Sequence, residues 1–376
     1  MVAKKIIGWM MAAMIVVGMT GCGGAEEKSS AGKKFHITID EAQENRKKIV
    51  VTDYGSAFID NDKVYGFVQD ETISSSNHLN TEVLGNHKII EMLECDGQIV
   101  LLDDSGRVLS AKGREYYGPG STIYNDGNIE AYCDEAKDIF VEDGDLLFVI
   151  TKNGSYYEKD IIDDTRFCAR SISNELAQNS KMVIKNHEQS LLYILQNDGT
   201  VDLWKHYYDD VAEATDVYEE IDVSQWKDIE CITYAADSDE GIHWLAGLKS
   251  DGTLEVTGKG YPEELLEWKD LVDLQSSTSN NEVIGLKSDG TLICSAEVDE
   301  EVQEGVQEWK NIKMMQWSGK MYRGVGVSES GIVYLNVNGV MYSDVVYEYQ
   351  EGGYVGRSID RISAWDGNVE KVEYKK

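Results

Sequence analysis

The sequence predicts an all-β fold built from a repeated small antiparallel sheet, and three observations support this prediction. The chain of 376 residues contains 35 glycines and only 2 prolines, which excludes collagen-like and proline-rich disordered chains. A block that starts with tryptophan recurs at Trp226, Trp268 and Trp309, 42 and 41 residues apart. Each block continues into two short apolar runs around a glycine turn, which is the pattern of a β-hairpin.

The first 22 residues have the layout of a secretory signal. Lys4 and Lys5 precede an apolar stretch from Ile6 to Val17, and small residues follow up to Cys22. The apolar stretch is too short for a permanent membrane span. The ending MTGC resembles the lipobox of bacterial lipoproteins, in which the signal is cut before the cysteine and the sulfur carries a diacylglycerol. The alternative is an ordinary cleaved signal followed by an unrelated cysteine.

Three parts of the chain follow from this cleavage. Residues 1–21 are the signal peptide, residues 22–35 are a flexible tether that begins at the lipidated Cys22, and residues 36–376 are the folded part. The tether sequence GGAEEKSSAGKK is small, polar and charged, as in flexible linkers. Two acyl chains at one site give stable attachment to a membrane. We therefore expect a palmitate-type lipid anchor that holds the protein on the extracytoplasmic face of a bacterial cell membrane.

The strong negative charge limits the partners. The formal net charge of −33 becomes −35 when the signal peptide with Lys4 and Lys5 is removed. Nucleic-acid binding needs lysine and arginine to displace counterions from phosphates, and the sequence contains no basic stripe. We expect no nucleic-acid partner, and a charged partner should be cationic.

Hairpin signals recur along most of the chain and define the architecture. Successive turns lie 36 to 53 residues apart, and Asp-Gly and Asn-Gly supply the positive φ angles that tight hairpins need. A small sheet cannot bury both of its apolar faces alone, so copies stack around an axis, which predicts a β-propeller. The recurring tryptophan is then a packing residue between sheets. The turn anchors are Lys63, Gly106, Gly154, Gly199, Gly252, Gly290, Gly331 and Gly367.

The repeated LKSDGT and the tryptophan of each block resemble the bacterial branch of the regulator of chromosome condensation repeats. The resemblance is strong from Ser224 to Leu335 and weakens to a pattern over residues 50–205. It implies a seven-bladed β-propeller of four-stranded antiparallel blades that binds partners through loops between blades; the same superfamily includes a secreted propeller that inhibits β-lactamases. Seven blades follow if the first and last hairpins share one closing blade, and eight follow if each hairpin has its own.

Segments between the hairpins are harder to assign. Residues from His36 to Lys48 are polar enough for a brief helix or for an extension of the tether. The acidic run from Glu297 to Glu308 is expected to be an irregular insert between blades.

No catalytic motif is present, so we expect no catalytic residue, no metal site and no cofactor. The sequence lacks the GxSxG, HExxH and phosphate-loop patterns, and its histidines lie far apart. Carboxylates are so numerous that a close pair would arise by chance. Five cysteines remain after Cys22, without a CxxC pair, and their pairing stays open; they are Cys95, Cys133, Cys168, Cys231 and Cys294.

A partner-binding rim is predicted from five tyrosines that lie 8 to 11 residues beyond turn glycines. At that distance the strand leaving each hairpin has ended, so the rings should lie in equivalent loops on one side of the disc. The alternative is that the rings cover the edges of the sheets. The five residues are Tyr116, Tyr117, Tyr207, Tyr208 and Tyr261.

These features predict a monomeric, lipid-anchored binding protein that holds a surface protein, peptide or wall polymer through its rim loops. The alternative is a propeller enzyme that acts on surface glycans with carboxylates gathered at the axis. A binder should present an aromatic face built from loops. An enzyme needs a deep axial pocket that holds carboxylates with shifted pKa values.

Overall fold

The structure, a computed structural model, consists mainly of short antiparallel strands. None of the helices in the described residues is long and apolar enough to cross a membrane. The structure describes residues 34–51, 55–60, 63–68, 87–95, 98–111, 129–133, 135–141, 146–160, 166–167, 178–186, 191–205, 221–237, 239–277, 281–318, 323–330, 333–337, 340–343, 345–350 and 353–358.

Two short α-helices, a 3-10 helix and a long series of strands make up this part of the chain. The helices are α1 (Ile39–Arg46), α2 (Glu300–Val306) and the 3-10 helix (Glu263–Glu267). The strands are β1 (Ile49–Val51), β2 (Gly55–Asp60), β3 (Lys63–Val68), β4 (Ile89–Cys95), β5 (Gln98–Asp103), β6 (Val108–Ala111), β7 (Ile129–Cys133), β8 (Ala136–Val141), β9 (Leu146–Thr151), β10 (Tyr156–Asp160), β11 (Arg166–Phe167), β12 (Ser180–Asn186), β13 (Leu191–Gln196), β14 (Val201–Lys205), β15 (Ile229–Asp237), β16 (Ile242–Lys249), β17 (Leu254–Lys259), β18 (Leu271–Ser276), β19 (Val283–Lys287), β20 (Leu292–Cys294), β21 (Ile312–Ser318), β22 (Arg323–Ser328), β23 (Val333–Val337), β24 (Val340–Ser343), β25 (Val345–Gln350) and β26 (Gly353–Ser358).

The described strands form a series of small antiparallel sheets, each made from consecutive strands. The sheets are β1–β3, β4–β7, β8–β11, β12–β14, β15–β17, β18–β20, β21–β24 and β25–β26. The seven hairpins predicted from Lys63 to Gly331 are all confirmed, since the second and third strands of the first seven sheets pair as antiparallel neighbours. The eighth predicted hairpin, around Gly367, lies outside the described residues.

The expectation of four strands in every blade is wrong for the two three-stranded sheets that are followed by fully described residues. Sheets β15–β17 and β18–β20 have three strands in the described residues, and each third strand leads into a short helix. The acidic run from Glu297 to Glu308, expected to be irregular, contains helix α2. Val302 and Val306, one helical turn apart, are buried in the core and explain why this acidic segment is helical.

The first strands of seven described sheets contact one another in a closed cycle, which runs β1, β4, β8, β12, β15, β18, β21 and back to β1. Beyond the first sheet, β26 lies beside β3. Sheets that radiate from a common ring of first strands are the arrangement of a β-propeller. The predicted all-β propeller fold is therefore confirmed by the sheets of this chain.

Turn glycines connect each sheet to the next one. The carbonyl of Gly252 accepts a hydrogen bond of 3.1 Å from the backbone N–H of Leu271, the first residue of β18. Gly290 makes the same contact with Ile312, the first residue of β21, at 3.0 Å. A Cβ atom at Gly290 would lie 2.7 Å from backbone atoms of that neighbouring strand. Equivalent bonds join Gly106 to Ala136 and Gly199 to Ile229.

These contacts define two sides of the disc. On one side, which we call the turn face, the tight turns between second and third strands lie beside the starts of the first strands. Leu271 at the start of β18, for example, pairs with Lys287 at the end of β19. The opposite side, which we call the loop face, carries the connections between first and second strands and the ends of the third strands.

The recurring tryptophans are packing residues, as predicted. Trp226, Trp268 and Trp309 are at most 6% exposed. Trp226 lies against Gly247 in the second strand of its own sheet, where an added Cβ atom would come within 2.8 Å of the indole ring. The glycine leaves room for the ring.

Candidate functional site

Helix α1 begins with a capping box on the turn face. The hydroxyl of Thr38 accepts a hydrogen bond from the Glu41 N–H, and the Glu41 carboxylate accepts one from the Thr38 N–H. Such a box satisfies backbone donors that a helix start leaves unpaired. Of the two alternatives predicted for residues 36–48, the brief helix is therefore confirmed.

Residues before α1 run along the turn of the sheet β18–β20. The N–H of Ile37 donates to the carbonyl of Ser288 over 2.9 Å, and the Phe35 ring lies against Gly290. Both side chains pack with a core cluster that contains Trp309. The chain therefore enters the disc on its turn face.

The C-terminal half of α1 bonds to two neighbouring first strands. Gln43 donates its side-chain amide to the Val272 carbonyl at 3.1 Å, and Asn45 donates to the Lys313 carbonyl at 2.9 Å. Val272 and Lys313 are the bulged residues near the starts of β18 and β21. A bulge leaves backbone groups outside the regular ladder, and α1 bonds to two of their carbonyls.

Two cations at the end of α1 contact carboxylates on three first strands of the ring. Arg46 lies 3.2 Å from the Oδ1 atom of Asp273 on β18. The Nζ atom of Lys47 lies 3.3 Å from Asp138 on β8 and 3.6 Å from Glu91 on β4. We call these five residues the hub cluster, because they join first strands from separate parts of the cycle.

Burial and charge shift the protonation of this cluster. Burial, and then the neighbouring Asp138 carboxylate, raise the pKa of Glu91 well above its ordinary value, and Lys47 only partly opposes them. Burial alone would lower the pKa of Lys47, but Glu91 and Asp138 outweigh that effect and raise it. Glu91 therefore keeps its proton to a higher pH than an exposed glutamate does, and it lies beside the Lys47 ammonium.

The arrangement binds a helix and does not present its carboxylates to solvent. Asp273 is 1% exposed, and Glu91 and Asp138 are each 8% exposed. Asp273 also accepts hydrogen bonds from Gln43 and Gln275. The carboxylates that an axial acid–base site would need are therefore bound by lysine, arginine and glutamine side chains of the chain itself.

Thiol chemistry has little support in this region. Burial, followed by the charge of Asp273, raises the pKa of Cys231 to about 12, and burial raises that of Cys294 to about 12 as well. Both are free thiols, and such values keep them protonated and unreactive. Within the described ranges, no group of three or more His, Cys, Asp or Glu side chains could hold a metal ion.

Most of the residues predicted to bind a partner or lipid lie outside the described residues, namely Cys22, Tyr116, Tyr117, Tyr207 and Tyr208. Tyr261 follows β17 on the loop face, between Gly260 and the 3-10 helix. Its ring is half-buried and packs against the core cluster around Leu265 and Trp268. Tyr261 thus lies in a loop on one side of the disc, as predicted for a binding residue, and its ring also packs against the sheet, as the alternative predicted.

Sequence reasoning missed the hub cluster, although the repeat contained a signal for it. Glu91, Asp138 and Asp273 each follow the bulged residue of a first strand, within the segments IIEML, AKDIF and LVDLQ. Carboxylates at one repeat position in otherwise apolar strands indicate a shared cationic partner. The partner itself could not be found from sequence, because Arg46 is 227 residues from Asp273.

Comparisons with known proteins yield structural similarities only. The sequence matches no protein-family model and no curated protein. PorZ, an essential surface component of the type-IX secretion system of Porphyromonas gingivalis, is 10% identical with a TM-score of 0.47; the match covers 87% of this chain and 39% of that one.

Two further solved structures show similarly low sequence identities and TM-scores. The CRINKLY WD40 ectodomain of the Arabidopsis thaliana receptor kinase ACR4 is 14% identical with a TM-score of 0.39, over 74% of this chain and 91% of that one. A chain from the crystal structure of Kap60 bound to yeast RCC1 (Prp20) is 11% identical with a TM-score of 0.38, over 85% and 86%. Since all three TM-scores are below 0.5, the fold assignment rests on the sheets of this chain.

Proposed function

We propose that the chain is a lipid-anchored extracytoplasmic binding protein, a seven-bladed propeller that holds a surface protein, peptide or wall polymer and performs no catalysis. The closed cycle of seven first strands supports the blade count, and β25 and β26 then complete the first blade beside β3. The lipobox at Cys22 supports the location, and the LKSDGT blocks support kinship with the bacterial regulator of chromosome condensation repeats.

The hub cluster is the observation that supports binding over catalysis. A glycan-cleaving enzyme with axial carboxylates needs one carboxyl group as acid and another as base or nucleophile beside the substrate. Here Glu91 and Asp138 are buried and contact Lys47. Because the chain's own helix engages these carboxylates on the turn face, we propose that the partner binds through loops.

Metabolic labelling with radioactive palmitate tests the anchor. Cells that produce the native chain should yield a labelled protein, and Cys22→Ala should remove the label because the acyl chains attach through that sulfur. Another cysteine, Cys294→Ala, serves as the control and should keep the label. Equal labelling of the native and Cys22→Ala proteins overturns the anchor.

Photo-cross-linking on intact cells tests the binding role. A photoreactive amino acid in place of Glu240, which is exposed on the loop face, should give one discrete adduct whose attached component is identified by mass spectrometry. The same residue in place of Ser250 on the turn face is the matched control. Absence of adducts at Glu240 and at two further loop-face positions, Asp239 and Glu263, would contradict the proposal.

A further inference from the structure

The fixed entry point of the chain has a consequence for how the protein sits at a membrane. Residues 35–47 are bonded to the turn face at both ends of the segment. Ile37 bonds to the turn at Ser288, and Arg46 and Lys47 reach the hub cluster. The segment is therefore part of the disc, and the tether predicted from the sequence joins the disc at Phe35.

The length of the tether restricts the orientations that an anchored disc can adopt. Cys22 and Lys34 are separated by about a dozen residues, which reach at most about 40 Å when fully extended. A flexible chain of this length has a root-mean-square span of only about 20 Å. Strand β16, which crosses the disc from face to face, has eight residues and measures about 25 Å.

Presenting the loop face to the membrane would stretch the tether nearly fully. The tether would have to run from Phe35 outward to the edge of the disc and then across its whole thickness. Full extension removes most of the conformational freedom of the linker, which is entropically unfavourable. Presenting the turn face requires no extension.

The geometry points to one orientation: the turn face lies against the lipid surface, and the loop face is the outward surface that meets the partner. This inference rests on the anchor at Cys22 in the proposed function. Third strands end on the loop face, so Tyr261, which follows β17, lies on the outward side. The partner is then a component of the exterior and not the bilayer itself.

Fluorescence quenching in vesicles tests the orientation. A small fluorescent amino acid replaces either Ser250 or Glu240; both are exposed, and they flank the two ends of β16. The lipidated protein is bound to phosphatidylcholine vesicles that carry a nitroxide on the lipid headgroup. Emission from position 250 should be quenched at least twofold more than emission from position 240.

Two controls separate the causes. Inserting about thirty Gly/Ser residues after Ala31 lengthens the tether outside the disc. The quenching at position 250 should then become similar to the quenching at position 240. Arg46→Leu with Lys47→Leu should do the same by releasing α1; if that variant does not fold, the tether insertion alone decides.

The outcomes distinguish the orientation from the anchor. Failure of the lipidated protein to float with the vesicles overturns the anchor and, with it, this inference. Flotation with equal quenching at both positions, or with stronger quenching at 240, overturns the orientation and leaves the anchor standing.

Discussion

At the scale of single residues, backbone conformation explains why the repeat keeps certain side chains. Asp228, Asp270 and Asn311, which precede the first strands of three sheets, have φ angles of 57°, 61° and 53°. Aspartate and asparagine tolerate this left-handed region better than other non-glycine residues. The third letter of WKD and WKN is therefore set by backbone geometry.

A substitution at Asp270 tests this explanation. Asp270→Val should lower the free energy of unfolding by about 1–3 kcal/mol, because a β-branched residue is strained at positive φ. Asp270→Asn keeps a residue that tolerates positive φ and should change the free energy of unfolding little. Urea titration followed by tryptophan fluorescence measures both; equal stabilities of the two variants would show that backbone strain is not the cause.

Protonation of Glu91 should make stability depend on pH. Its pKa is raised in the folded protein, so the folded state keeps a proton that the unfolded state loses above the ordinary glutamate value. Stability is then full below the unfolded pKa and falls as pH rises through the folded pKa.

Glu91→Gln removes this titration while keeping shape and polarity. From about pH 4.5 upward the variant should gain stability relative to the native chain, by up to about 1.4 kcal/mol per pH unit until the folded pKa is passed. Urea midpoints at a series of pH values measure the difference. Parallel curves for the native chain and the variant would contradict a raised pKa of Glu91 in the folded protein.

At the scale of elements, tryptophan and glycine form one packing unit in each clear repeat. Trp226 contacts Gly247 in the sheet β15–β17, and Trp309 contacts Gly326 in the same way in β21–β24. The ring covers the second strand and fills the space between neighbouring sheets. Glycine is needed in these strands because a methyl group would enter the ring.

Gly247→Ala should therefore destabilise the protein through overpacking. The expected loss is about 1–3 kcal/mol, as for other enlargements in a packed core. Lys227→Ala, at an exposed neighbouring position, should change stability by less than about 0.5 kcal/mol. Denaturant unfolding curves compare the two variants. A Gly247→Ala protein as stable as the native chain would mean that the Trp226 ring shifts without cost to accommodate the methyl group.

The sequence predicted local elements well and distant contacts poorly. Hairpins and packing tryptophans were predictable, because each depends on residues a few positions apart. The hub cluster was not, since Arg46 and Lys47 find partners only after the whole ring has formed. Helix α2 was missed because the acids around Val302 and Val306 concealed their apolar period.

At the scale of the whole molecule, closure of the ring should make unfolding cooperative. In an open repeat array, end repeats fray separately, whereas here β1 contacts β21 and residues 43–47 bond to four sheets. In the described residues, each first strand of the cycle therefore contacts a first strand on both sides, and no sheet of the cycle is an end repeat.

Chemical unfolding should accordingly show a single transition. Tryptophan fluorescence, which reports mainly on the sheets from β12 to β24, and far-ultraviolet circular dichroism should give coincident curves. A variant with Arg46→Leu and Lys47→Leu should shift the midpoint downward. Two separated transitions in the native protein would contradict a closed ring.

Helix α1 also constrains the time order of folding during synthesis. Its contacts with β18 and β21 involve residues that leave the ribosome long after α1 itself. Helix α1, the earliest helix in the described residues, can therefore dock only after β18 and β21 have been made. A molecule whose synthesis stops before β18 would retain an undocked basic end of α1, because Arg46 would lack its contacts with Asp273 and Leu274.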